Sequence, residues 1–101
     1  MATYYYGMNW WGFSKFKSTT SIVEARKKLV DEMMKRSSDI HSYGQIYTGK
    51  PSMENRYPTY VIQFYGYTKD RNDVIQSDAR GEHGWRSMGR VSPNGKLIGR
   101  R

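Results

Sequence analysis

The sequence predicts an α+β domain in which one helix packs on a mainly antiparallel sheet of four or five strands, in the order β-α-β-β followed by a basic β-hairpin. Three observations predict it. Only one stretch carries an apolar stripe at helical spacing behind a capping signal. Three others alternate aromatic or β-branched residues with polar ones, and a Pro-Asn-Gly turn lies near the C-terminus. With 101 residues, no internal repeat and no long linker, residues 1–101 form one expected domain around one core.

The first strand is read from TYYYGMNWWGF, residues 3–13, which is rich in strand-favouring aromatics and has Gly7 and Gly12 as bulge or close-approach positions. The helix follows over residues 21–36. Ser21 with Glu24 three residues later is a capping-box pattern, and Ile22, Ala25, Leu29, Val30 and Met33 make one apolar stripe. Glu24 with Lys28, Asp31 with Lys35 and Glu32 with Arg36 stand in the favourable i, i+4 order, so much of the helix charge is expected to be neutralised on the helix itself. Residues 40–48 read as a second strand and residues 57–68 as a third, with Pro58 near its start where a missing amide is tolerated. Residues 69–84 are polar and charged and read as a loop with one short helical turn near Val74. The hairpin is placed at residues 85–101, turning at Ser92, Pro93, Asn94 and Gly95.

Alternate strand residues point to opposite faces, and sorting them gives two unlike surfaces. Tyr4, Tyr6, Met8 and Trp10, then Ile40, Gly44 and Ile46, then Tyr60, Ile62 and Phe64 form the face that suits the helix. Opposite them stand Tyr5, Asn9 and Trp11, then His41, Tyr43, Gln45 and Tyr47, then Val61, Gln63, Tyr65 and Tyr67. A helix of this length shields one face only, so the second is expected to be an open platform of Tyr, Trp and amide side chains. Such side chains favour binding and stack on nucleobases, although cross-strand aromatic pairs also stabilise sheets with no ligand.

Charge suggests the partner. Seventeen Lys and Arg against nine Asp and Glu give +8, a footprint of proteins that bind polyanions. From residue 85 to the end lie Arg86, Arg90, Lys96, Arg100 and Arg101 with no acid among them. The expected nucleic-acid or partner surface is therefore Tyr5, Trp11, Tyr43, Tyr47, Tyr65 and Tyr67, with Arg86, Arg90, Lys96 and Arg100 gripping phosphates.

Other chemistry finds little support. The absence of cysteine excludes disulfides, thiolate nucleophiles and cysteine zinc sites, and suits a reducing cytoplasm. Two histidines, His41 and His83, have no metal-ligand spacing, and no cofactor motif is present, so neither a metal nor a cofactor is expected. No signal peptide or apolar run of membrane-spanning length is seen, and no membrane partner is expected. The β-α-β-β start resembles RNA-recognition folds in outline, without their Lys/Arg-Gly-Phe-Gly-Phe strand or a second helix.

Three functions compete: a non-enzymatic protein binding RNA or single-stranded DNA; a protein-binding module, self-associating or a phage or mobile-element inhibitor; and a small basic ribonuclease using Glu82 and His83.

Overall fold

The computed structural model describes residues 2–35, 41–66, 69–81 and 84–99. In chain order these form β1 (Tyr4–Met8), a 3₁₀ turn (Phe13–Lys15), β2 (Lys17–Thr19), α1 (Ile22–Lys35), β3 (Gly44–Tyr47), β4 (Tyr60–Phe64), β5 (Val74–Gly81) and β6 (Gly84–Val91). The strands make one antiparallel sheet of six in the order β2-β1-β3-β4-β5-β6. The α+β class and the single helix are as expected. The sheet is larger than four or five strands.

The helix starts where the capping pattern places it. The Ser21 hydroxyl accepts from the Glu24 amide at 3.2 Å. Glu24 does not reach back to the cap amide; Thr19 does, accepting from Ser21 N and donating to the Glu24 carboxylate at 2.9 Å. The stripe then buries Ala25, Leu29, Val30 and Met33 against Tyr6, Met8, Ile46, Ile62, Phe64, Val74 and Val91. Close approach depends on Gly44: a Cβ there would lie 2.8 Å from Leu29 Cδ1.

Two strands escape the sequence reading. β2 has three residues, too few to show a period. β5, which begins at Val74, lies in the segment expected to be a loop with a helical turn there, because Gln76, Ser77 and Asp78 look solvated yet are all buried. Partners make that burial tolerable. Arg26 Nε donates to Gln76 Oε1 at 2.6 Å, and Arg86 pairs with Asp78 at 3.0 Å.

The long hairpin is thus β5 with β6, and the expected Ser92 turn carries only a short return. Gly95 N donates to Ser92 O, Val91 bridges Leu97, and Gly95 takes φ +93°. That turn docks on the helix. A Cβ on Gly95 would lie 2.1 Å from Val23 O, and Gly95 O accepts from Arg26 Nη1 at 3.3 Å. Arg26 is only 7% exposed, so burial holds its pKa below the usual arginine value, opposed by nearby Tyr60 and Tyr4.

Leu29 is fully buried at the centre of this contact. Leu29→Ala is expected to cost ~2 to 5 kcal/mol in chemical denaturation, as a cavity opens against β3. A loss no larger than a surface substitution would contradict the packing described.

Candidate nucleic-acid interface

The face away from the helix is not an open platform. After β1 the chain turns at Asn9 and Trp10 and crosses that face as the 3₁₀ turn. Phe16 lies over Gly7, where an added Cβ would meet its ring at 2.9 Å. Phe13 and Phe16 then stand edge-on to Tyr47 at 6.5 and 5.5 Å between centroids. On the other side the chain between β3 and β4 folds back, and the Tyr47 hydroxyl donates to Arg56 O at 2.9 Å. Tyr47, expected at the surface, is 1% exposed. It is the centre of a second small aromatic core.

Between the β3–β4 connection and Trp85 a groove of about 430 Å³ stays open. Tyr43 and Gln45 of the β3 segment and Val61 and Gln63 of β4 line it from the sheet. Arg56, Tyr57 and Pro58 line it from the loop, and Trp85 from β6. Tyr57 is 75% exposed and Trp85 51%. The Arg56 guanidinium sits 5.4 Å from the Tyr57 ring centroid, within cation–π range. Two amides on the floor, two exposed aromatic rings and one cation make an arrangement that takes planar, hydrogen-bonding ligands.

The other expected site residues scatter. Tyr5 is half-buried on the second face, paired with Ser18 and Tyr47 across the sheet. Tyr65 is exposed just beyond β4, outside the groove. Trp10 and Trp11 exchange roles because β1 ends at Met8: Trp11 packs on the core and Trp10 is 51% exposed. Arg86, read as a phosphate ligand, stands beside Asp78 in the helix-facing register and is bound to it. Arg90 donates through Nη2 to Asn72 O at 2.6 Å. Lys96 is exposed after the Ser92 turn. Tyr67, Arg100, Glu82 and His83 lie outside the described residues.

Charge on the helix also differs from expectation. Lys35 binds Glu32 at 3.0 Å, Asp31 takes Arg71 at 2.5 Å from across the fold, and Glu24 is engaged by Thr19. Lys28 consequently has no acidic partner among the described residues.

Sequence reasoning placed Tyr43, Gln45 and Gln63 on one face but missed Tyr57, Arg56 and Trp85. Trp85 had a usable signal, since it starts the basic segment and alternates with Ser87. No family model, curated protein or solved structure matches the chain.

Burial, and next the neighbouring Tyr43, raise the Tyr47 pKa; burial, and next Glu24, raise that of Tyr6. Both groups stay protonated when unfolded tyrosines ionise, so their contribution is whole below about pH 10 and is lost as pH rises past it. Denaturation midpoints measured from about pH 9 to about pH 11 should fall, and less steeply in Tyr47→Phe. Midpoints independent of pH there would contradict the buried hydroxyls.

Proposed function

We propose that the protein binds single-stranded nucleic acid, with unpaired bases entering the groove between the β3–β4 connection and Trp85. The observation that carries this is the pair of exposed rings, Tyr57 and Trp85, beside an amide floor of Gln45 and Gln63 in a chain of net charge +8. Rings give sequence-tolerant stacking, amides offer donors and acceptors to base edges, and Arg56 supplies a cation at the rim. Duplex bases are already stacked and paired, so they present no free faces to these rings. Net positive charge adds attraction that salt weakens.

A protein partner is the second reading. The outer edge of β6 is paired only from Arg90 onward among the described residues, leaving exposed residues 84–87 able to accept an added strand.

Protein freed of bound nucleic acid by nuclease and high salt should bind oligo-U or oligo-dT more tightly than duplex, with tryptophan fluorescence as the signal. Tyr57→Ala and Trp85→Ala should each weaken binding by ~1 to 3 kcal/mol while leaving the fold intact. Equal affinity for duplex, or variants that bind like the parent, would sink the proposal. A salt-insensitive protein that captures no oligomer but accepts a peptide strand would favour the second reading.

A further inference from the structure

Further cations beside exposed aromatic surface lie past the C-terminal end of β1. Trp10, Trp11, Gly12, Lys15, Lys17 and Glu32 line a cleft of about 460 Å³. Trp10 and Trp11 meet edge to face at 6.0 Å between centroids. Trp11 is anchored on the core, so the pair is a supported aromatic corner.

This cleft adjoins the sheet-face groove through two hydrogen bonds. Asn9 N donates to Tyr43 O at 2.9 Å, and Tyr43 N donates to the Asn9 side-chain oxygen at 3.0 Å. Tyr43 lines the groove, and Trp10, one residue beyond Asn9, lines the cleft. Successive Cα atoms are about 3.8 Å apart, so the backbone brings a residue of each site close together. The segment carrying Gly12 and Lys15 also lies on the groove's side of the sheet, where its phenylalanines cover Tyr47.

Positive charge is in excess there, two lysines against one carboxylate. Glu32 is held by Lys35, and Asp31 by Arg71. Lys15 and Lys17 are exposed and have no acidic partner among the described residues. A neighbouring cleft of about 530 Å³ shares Trp11, Lys17 and Glu32 and adds Lys28, Lys35 and Arg71 with Asp31, so an excess of cations continues toward the helix. A groove with amides and rings but one cation suits bases; a cleft with lysines beside a tryptophan suits phosphates and a further base.

We infer that groove and cleft form one track, in which a single-stranded polynucleotide lays bases against Tyr57, Trp85 and Tyr43 and passes Trp10 to set its phosphates on Lys15 and Lys17. The inference rests on the nucleic-acid function proposed above and adds its footprint and polarity of charge. A short oligomer fills the groove alone. A longer one reaches the lysines and gains affinity from them.

The test compares oligomers of about three and about eight nucleotides, the first below and the second within the ~4 to 16 nucleotide footprints of small single-strand-binding domains. The series of oligo-U or oligo-dT that binds the parent more tightly is used at two salt concentrations. The parent should bind the longer oligomer at least about tenfold more tightly, because it adds phosphate contacts. Lys15→Ala combined with Lys17→Ala should remove most of that gain and reduce the salt slope for the longer oligomer by about 1.4, or ~0.7 for each lost contact on a single strand. Binding of the shorter oligomer and the melting temperature should stay as in the parent. If both oligomers bind, both respond to Trp85→Ala, and the lysine variant matches the parent for each, the track is wrong while the groove stands. If neither oligomer binds the parent, the groove proposal fails and the track with it.

Discussion

A fourteen-residue helix cannot cover two faces of a six-stranded sheet, and most of this structure follows from that shortage. The helix is ~21 Å long and ~10 Å wide, and the sheet is ~24 Å across its strands. One face is sealed by the helix stripe. The other must be covered by whatever chain is left, and two connecting segments do so: the residues after β1, which bring Phe13 and Phe16 over Gly7 and Tyr47, and those after β3, which accept the Tyr47 hydroxyl. The second of these walls the part of the face near Gln45, Gln63 and Trp85 with Arg56, Tyr57 and Pro58 but leaves it open as a groove.

Charge is distributed by the same economy. Buried polar groups of β5 need partners, and Arg26 and Arg86 are drawn into that task, one under the helix and one beside Asp78. Arg71 and Lys35 are likewise occupied by acids of the helix. What stays unpaired among the described cations near exposed rings is Lys15, Lys17 and Arg56, each on or beside a covering segment. The segments that complete the second core thereby also carry the charge that would attract a polyanion.

The start of the helix was legible to within a residue, and its stripe holds through the described residues to Lys35, because its period and its cap are local signals. The two faces were also legible inside the strands: Tyr43, Gln45, Ile46 and Ile62 lie as alternation predicts. Failures arose where a long-range partner changes the meaning of a residue type. Gln76 and Asp78 read as loop because their burial depends on Arg26, fifty residues from Gln76, and on Arg86. Tyr47 read as surface because nothing in a strand's alternation announces that Phe13 and Phe16 will cross over it. Trp10 and Trp11 were exchanged because two consecutive tryptophans hide a strand that has already ended at Met8. Tyr57 belongs to a connection, where alternation gives no direction at all.

The central claim is that bases enter the uncovered part of the second face. Amide hydrogen exchange with and without a saturating single-stranded oligomer reads that location directly, since bound ligand slows exchange where it shields backbone or damps opening. Slowed exchange at residues 43–45, 57–63 and 85, with the middle of the helix unchanged, is the result expected. Protection confined to the helix or to residues 97–99, with none around Gln45, Gln63 and Trp85, would contradict it.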